Sequence, residues 1–245
     1  MNNKRRFGFH LLLFLTPFLL LVLLELLLRL FNFFPREPLF VDAVQEGREV
    51  IRINPDVARR YFDPKKVVVP NLYPESFGRT RTENTFRIFC LGGSTTAGFP
   101  FEFQVPFPAQ LRILLSGQYP GRQFEVINLG LSAVNSFTVL DFIPEVLAQK
   151  PDLILLYMGH NEFYGAYGSA SVVSAGRNGA LIRAYLGLQR LRSVQMVRAL
   201  ISSLTPARRL DPENSTLMEQ VAAGQRIPYR SALEKRTLEN FRTNL

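Results

Sequence analysis

The chain has one cysteine, two histidines and no tryptophan among its 245 residues. A single cysteine cannot form a disulfide within the chain, which excludes an internal disulfide framework and a zinc site built from several cysteines. The two histidines, His10 and His160, leave few candidates for histidine-based acid–base chemistry. We expect neither a metal nor an organic cofactor.

Acidic residues are outnumbered, with 20 Asp and Glu against 29 Lys and Arg, so the net charge is +9. Residues 1–34 carry +3 and residues 177–245 carry +7, whereas residues 35–176 carry −1. The middle of the chain shows no basic stripe interleaved with aromatic residues, which a single-strand binder needs. We therefore expect no nucleic-acid partner. The basic tail indicates either a solvated helical surface or one that meets anionic membrane.

Apolar residues are concentrated near the N-terminus, where 21 of the 28 residues from Phe7 to Phe34 are apolar. A helix of about 20 such residues spans a bilayer core. Lys4, Arg5 and Arg6 precede the segment and favour a cytoplasmic N-terminus. The pattern predicts a single-pass signal-anchor in the inner membrane that contacts lipid through residues 7–30. The rest of the chain would then lie in the periplasm or otherwise outside the cytoplasm.

A cleaved signal peptide is the competing interpretation. Its apolar region usually has about 7–15 residues and ends at a small-x-small cleavage site. Here the run is longer, and the bulky Phe31-Asn-Phe-Phe-Pro35 follows it. Glu25 and Arg29, four residues apart, share a helix face near one end and can pair there. These features favour the uncleaved anchor.

We divide the chain into three parts. Residues 1–34 form a cytoplasmic tip and the anchor. Residues 35–85 contain six prolines and predict a juxtamembrane connector that packs irregularly. Residues 86–245 form a partial α/β domain.

Three short apolar runs in the third part end at glycine and are typical of strands buried on both faces: residues 86–91, 123–128 and 152–158. Helices are predicted between them at 108–118 and 135–149, the second capped by Asn135 and either kinked at Pro144 or delayed in its start by it. This alternation predicts a parallel sheet with right-handed crossovers.

Helical spacing recurs nearer the C-terminus. Residues 181–204 predict one amphipathic, arginine-rich helix, for which packing on the domain is favoured over lying on a membrane. Residues 231–245 predict another helix. The small residues of 165–180 indicate either a mobile flap or a linker.

The loops after the three strands meet at one edge of such a sheet, where ligands bind. The first places Ser94 directly after Gly92 and Gly93, and it lacks the lysine of a phosphate-binding loop. The hydroxyl of Ser94 alone fits a helix cap better than a nucleophile. Asn161 on the third loop, with the backbone N–H groups of Ser94 and Ala133, would supply an oxyanion hole and favours acyl transfer.

Three ordered blocks resemble the SGNH/GDSL hydrolases: Gly92-Gly93-Ser94-Thr95, Asn128-x-Gly130-x-Ser132 and Gly159-His160-Asn161-Glu162. That family comprises esterases, lipases and carbohydrate deacetylases, with related O-acyltransferases. The resemblance implies a flavodoxin-like three-layer α/β/α fold, Ser94 as nucleophile and Asn161 as oxyanion donor. Ala133 stands where the family usually has glycine, which matters little unless the position needs positive φ. Glu162 replaces the usual aspartate, whose role we take to be structural.

The resemblance also implies a base from a late Asp-x-x-His block, and no histidine follows His160. We therefore expect the chain to be a truncated piece of a longer protein and inactive as it stands. His160 is the alternative base. The predicted function is a serine esterase or lipase-type hydrolase of acyl-ester or O-acetyl substrates at the cell envelope. The alternatives are an O-acyltransferase on envelope polysaccharide and a catalytically dead binding or scaffold module.

Overall fold

The computed structural model describes residues 3–101, 105–173, 176, 178–206, 217–222 and 226–245, with the side chains of the first helix described from His10 onward. Two compact units result, one of residues 1–36 and 184–206, the other of residues 37–183 and 207–245. The helices and strands in chain order are α1 (Asn3–Leu30), β1 (Phe40–Gln45), β2 (Arg48–Ile53), a 3-10 helix (Pro55–Arg60), β3 (Ser76–Gly78), β4 (Thr85–Gly92), α2 (Ser94–Ala97), α3 (Phe107–Gln118), β5 (Gln123–Gly130), α4 (Ser136–Ala148), β6 (Leu153–Tyr157), α5 (Gly179–Leu188), α6 (Arg192–Leu204), α7 (Leu217–Ala222) and α8 (Ala232–Asn244).

The smaller unit contains α1 and α6. Residues His10–Leu30 of α1 have a mean hydropathy of 2.8 and are almost wholly exposed. A helix of 21 residues is long and apolar enough to cross a bilayer core. The predicted long apolar helix at the N-terminus is thus confirmed, while its insertion in a membrane stays a proposal.

The prediction of one helix over 181–204 is wrong, because the chain forms α5 and α6 with a break at residues 189–191. The backbone N–H groups of Arg192 and Ser193, which open α6, donate to the Glu25 carboxylate at 3.0 and 2.9 Å. These N–H groups cannot bond within the helix that they begin, so an outside acceptor stabilises the new start. No glycine or proline at 189–191 marks the break in the sequence.

The larger unit is built on a three-stranded parallel sheet in the order β5-β4-β6. Strand β4 lies in the centre, and its Phe89, Cys90 and Leu91 are fully buried. Helix α3 packs on the face that carries Ile88 and Cys90. The predicted parallel α/β class and its three strands are confirmed. Helix α4 begins at the predicted cap, since Asn135 accepts a hydrogen bond from the N–H of Phe137, and Pro144 lies inside the helix, so the late start is wrong.

Strand β6 lies at an edge of this sheet and is more exposed than its neighbours. Leu153, Leu156 and Tyr157 are 41%, 44% and 44% exposed. Among the described residues, β4 is the strand with which β6 pairs. One side of β6 therefore presents unpaired backbone beside apolar side chains.

The expectation that residues 35–85 pack irregularly is wrong, because β1, β2 and β3 form an antiparallel sheet there. The six prolines lie before β1 or between β2 and β3, so they interrupt neither strand of the hairpin. Glu46 and Gly47 connect β1 to β2 with φ values of 50° and 75°. Two positive φ values in a two-residue loop are typical of a type I′ turn, whose backbone twist matches that of the two flanking strands.

A buried ion cluster attaches this segment to α4. The guanidinium of Arg60 pairs with Glu145 at 2.6 Å and with Asp141 at 3.5 Å, and the side chain of Arg60 is 1% exposed. The hydroxyl of Tyr61 donates to Asp141 at 2.5 Å. The backbone N–H of Leu39 donates to Glu145 at 2.7 Å. Residues 37–62 and α4 therefore share one network of buried charges.

We predict that Arg60→Ala destabilises the protein by about 3–5 kcal/mol, because it leaves the negative charges of Asp141 and Glu145 without their cationic partner. Arg59→Ala is the matched control, since Arg59 pairs with Asp56 on the surface and such pairs contribute about 1 kcal/mol or less. Urea unfolding in detergent micelles, followed by far-ultraviolet circular dichroism, measures both. Equal midpoints for the two variants would contradict the proposed importance of the cluster.

Candidate active site

The two loops that carry Ser94 and Asn161 flank the point where the strand order changes direction. The chain passes from β4 to β5 on one side and then returns to β6 on the other side of β4. Ligands of open parallel sheets bind in the crevice that such a reversal creates at the carboxyl ends of the strands. Ser94 follows β4 and residues 159–162 follow β6. The order of the strands therefore places Ser94 and Asn161 on the two loops that border this crevice.

Ser94 is the first residue of the short helix α2 and is half-buried. Gly98 ends this helix with φ 104°, and its N–H donates to the carbonyl of Ser94 at 2.9 Å. Among the residues that the structure describes, none forms a hydrogen bond with the Ser94 hydroxyl. The hydroxyl is not used as a helix cap, which the sequence favoured for a lone serine, and is free to meet a ligand.

Gly93 brings the first and third loops together. A β-carbon built on Gly93 would lie 3.0 Å from Nδ2 of Asn161. The amide of Asn161 therefore packs against the backbone directly before Ser94. This places a side-chain N–H donor beside the residue that precedes the candidate nucleophile.

Gly92 and Gly130 allow backbone contacts that no other residue permits. A β-carbon on Gly92 would overlap with Thr96 and with the carbonyl of Tyr157, and one on Gly130 would overlap with the backbone of Thr96 and Ala97. These two glycines let the ends of β4 and β5 pack directly against α2. They position the helix that begins with Ser94.

Two side chains whose roles the sequence did not indicate hold α2 in place. The amide of Asn128 donates to the carbonyl of Thr96 at 2.9 Å, and the buried hydroxyl of Thr96 donates to the carbonyl of Tyr157 at 3.2 Å. Asn128 was visible only as part of the second block. Thr96 lies outside the three blocks, one residue after the first of them.

Ala133 adopts left-handed backbone with φ 57° and is 1% exposed. We expected the replacement of the usual glycine by Ala133 to matter little unless this position needs a positive φ. In the structure this position has a positive φ, and that conformation costs an L-residue roughly 1–2 kcal/mol. The carbonyl of Ala133 accepts a hydrogen bond from Ala166 at 2.9 Å, which helps to retain it.

Glu162 connects the third loop to the start of α4. Its carboxylate accepts hydrogen bonds from the N–H of Ser136 at 3.0 Å and from the hydroxyl of Ser136 at 2.7 Å. Burial raises the pKa of this carboxyl above its ordinary value, and the two bonds from Ser136 oppose that rise. Glu162 faces away from the solvent and contacts the end of a helix, as a supporting residue would.

His160 and Gly159 precede Asn161 on the third loop. Gly159 has φ 122° and turns the chain out of β6. The imidazole of His160 is exposed and lies edge-on to the ring of Tyr157 at 5.3 Å between centroids. In the described part of the chain, no hydrogen bond joins His160 to Ser94.

Cys90 lies inside β4, as the sequence predicted. It is fully buried, and burial together with the negative charge of Glu75 raises the pKa of its thiol to about 12. A thiol with such a pKa is protonated at neutral pH and is a poor nucleophile.

The first half of the segment predicted to be a flap or a linker is packed. Ala166, Tyr167 and Ala170 are buried, and the N–H of Tyr167 donates to the carbonyl of Val173 at 2.7 Å. Gly165 lies against Asn161 and Val134, where a β-carbon would meet the backbone of both. This part of the segment therefore supports the third loop. Residues 174, 175 and 177 lie outside the described residues.

Within the described ranges, no group of three or more His, Cys, Asp and Glu side chains is arranged to hold a metal ion.

No family model and no curated protein matches the chain. Among solved structures, the chain is similar to the crystal structure of AlinE4, an SGNH-hydrolase family esterase, at 18% sequence identity and a TM-score of 0.31. A single-residue variant of that esterase matches at 19% identity and a TM-score of 0.30. Both matches cover 66% of this chain and 75% of the other. A likeness this distant carries no argument about activity.

We predict that Gly130→Ala destabilises the protein by about 1–3 kcal/mol, because the new methyl group overlaps with the backbone of α2. Gly117→Ala, at an exposed position of α3 where a β-carbon meets nothing within 4 Å, is the control. It should leave stability unchanged or raise it by up to about 1 kcal/mol. Chemical denaturation compares the two, and a neutral Gly130→Ala would show that α2 does not depend on this contact.

We predict that Glu162→Gln changes how stability depends on pH. The folded protein binds the Glu162 proton more tightly than the unfolded chain, so ionising Glu162 costs stability as pH rises from its ordinary pKa of 4.5 to the raised folded value. Above that value the cost is constant. Melting temperatures measured across this range should therefore fall for the wild type relative to Glu162→Gln. Parallel profiles would contradict this origin of the shift.

Proposed function

We propose that the protein is an SGNH-type serine hydrolase that cleaves an ester bond of an acylated substrate. The proposal depends on one observation above all. A half-buried serine hydroxyl with no described hydrogen-bond partner stands at the topological switch point, and an asparagine amide packs against the residue before it. The three sequence blocks that carry these residues support the same assignment.

In the proposed reaction Ser94 attacks the carbonyl carbon of the ester. The carbonyl oxygen becomes an oxyanion, which the side-chain amide of Asn161 and the backbone N–H groups of Ser94 and Ala133 stabilise. Donors that are held in place before the reaction need no reorganisation as charge develops, and removing one typically costs about 10²–10³ in kcat. The alcohol then leaves, and water releases the acyl group from Ser94.

The supporting residues have separate roles in this proposal. Gly92, Gly93 and Gly130 allow the close approach of the strand ends to α2, and Gly159 directs the third loop toward the crevice. Asn128 and Thr96 hold α2. None of these needs to contact the substrate, so we regard them as positioning residues.

The proposed reaction needs a base that removes the proton of Ser94. His160 neighbours Asn161 in sequence, but its ring packs on Tyr157. We therefore keep His160 as the alternative base and propose that the base is the histidine of a late Asp-x-x-His block, which the resemblance to the SGNH/GDSL hydrolases implies.

The cellular setting is also a proposal. Because α1 is long and apolar enough to span a bilayer, we propose that it anchors the catalytic unit at the inner membrane, with the N-terminus in the cytoplasm and the catalytic unit in the periplasm or another extracytoplasmic space. Acylated glycans and lipids of the cell envelope would then be within reach.

We predict that a serine-reactive phosphonate labels Ser94 in the folded protein, and that Ser94→Ala abolishes the labelling. Thr95→Ala is the matched control, because Thr95 is an adjacent, exposed hydroxyl that should not react. Mass spectrometry of the labelled peptide identifies the residue. Absence of labelling in a folded protein would favour a catalytically dead binding module.

His160→Gln completes the test. If the base lies elsewhere, the labelling rate should fall less than about tenfold, whereas loss of a general base costs about 10²–10⁴. Product analysis with an added sugar acceptor then distinguishes hydrolysis from transfer to a hydroxyl, which would indicate an O-acyltransferase.

A further inference from the structure

Helix α6 exposes its apolar side. Val197, Leu200, Ile201 and Leu204 are between 49% and 77% exposed, and no residue of α6 is buried. Their spacing of three and four residues places them on one face of the helix. A surface helix of a water-soluble domain buries its apolar face by packing on that domain. Because this face is exposed, it indicates a partner outside the unit.

Two polar side chains of α6 bond within their own unit instead. The amide of Gln195 donates to the carbonyl of Gln189 at 2.5 Å, and Arg198 donates to the side chain of Gln189 at 3.2 Å. Gln189 itself is fully buried. Gln195 and Arg198 therefore bond within their own unit, whereas the apolar side chains of α6 face outward.

Glu25 ties the start of α6 to α1. The carboxylate accepts from the backbone N–H groups of Arg192 and Ser193 and from the hydroxyl of Ser193, all within 3.0 Å. Glu25 lies five residues before the end of α1, which corresponds to about 7.5 Å along the helix axis. Amphipathic helices at a bilayer interface lie about 5–10 Å deep. The bond to Glu25 thus holds the start of α6 at that depth if α1 spans the membrane.

Cationic and polar groups gather at the same end of α1. Arg29 pairs with Glu25 at 2.7 Å and also donates to the carbonyl of Arg190 at 3.2 Å. Arg192 donates to the side chain of Asn32 at 3.0 Å and to the carbonyl of Phe33 at 3.1 Å. Arginines at the end of a membrane span are typical of the headgroup level.

We propose that α6 is an interfacial helix. It lies in the headgroup–acyl boundary of the bilayer that α1 spans, with Val197, Leu200, Ile201 and Leu204 toward the acyl chains. This inference rests on the proposed membrane insertion of α1. Lipid is the occupant that the structure favours, because the carboxylate that caps α6 belongs to the membrane-span candidate itself.

Single tryptophans test the proposal, since the chain has none of its own. The full chain would be reconstituted into vesicles of phosphatidylcholine and phosphatidylglycerol. Ile201→Trp reports on the apolar face of α6 and replaces an exposed side chain. Ala199→Trp, exposed and about 160° away around the helix, is the matched control. Leu19→Trp reports on the middle of α1.

We expect Ile201→Trp to be quenched at least about twofold more strongly than Ala199→Trp by lipids brominated near the headgroup. Leu19→Trp should be quenched best by lipids brominated near the end of the acyl chain. Leu204→Trp provides a second reporter on the apolar face if Ile201→Trp folds poorly.

The outcomes separate the two proposals. Quenching of Leu19→Trp without quenching of Ile201→Trp or Leu204→Trp overturns the interfacial helix and leaves the anchor intact. Absence of quenching at Leu19→Trp overturns the anchor itself. A blue-shifted Ile201→Trp that bromolipids do not quench, and whose shift disappears on dilution of protein in lipid, also overturns the proposal, since it assigns the face to a second copy of the chain.

Discussion

Parallel pairing of β4 with a strand on each side is the constraint on which the larger unit depends. Because both partners run in the same direction as β4, the carboxyl ends of all three strands lie side by side. The residues that follow β4, β5 and β6 then meet there without long connections. The candidate nucleophile and the candidate oxyanion donor come from the loops after β4 and β6, and the end of β5 supports the helix that begins with Ser94. Their proximity follows from strand direction before any side chain is considered.

Buried arginines attach the N-terminal sheet to this framework. Arg60 joins the segment after β2 to α4. Arg87 in β4 pairs with Glu125 at 2.7 Å, donates to the carbonyl of Gly78 at 2.6 Å and lies over the ring of Phe77. Each guanidinium has several donors in fixed directions, so one residue can bond to two elements at once. Such pairs are costly to bury, and their value here lies in fixing the position of β1–β3 relative to the parallel sheet.

Much of this architecture could be predicted from the sequence, and the exceptions have identifiable causes. The strands and α4 carry local signals, namely apolar runs ending at glycine and an asparagine cap. The hairpin of β1 and β2 was not predicted, because the six prolines of residues 35–85 indicated irregular structure although none of them lies in either strand. The break before α6 has no local signal, since the acceptor that stabilises it is Glu25, more than 160 residues earlier. At the candidate site, motif spacing predicted which loops converge, whereas the positive φ of Ala133 and the contacts of Thr96 depend on tertiary packing.

The two edges of the parallel sheet differ in how well they are protected. On the β5 side, the carboxylate of Glu75 accepts the backbone N–H of Asn128 at 3.1 Å, so a charged side chain covers part of the edge. The β6 side has apolar residues and open backbone in the described part of the chain. An edge of this kind is a template for strand addition and for aggregation. A further strand can therefore pair with β6 directly, and it would extend the crevice. A strand that pairs with β5 must first displace the carboxylate of Glu75.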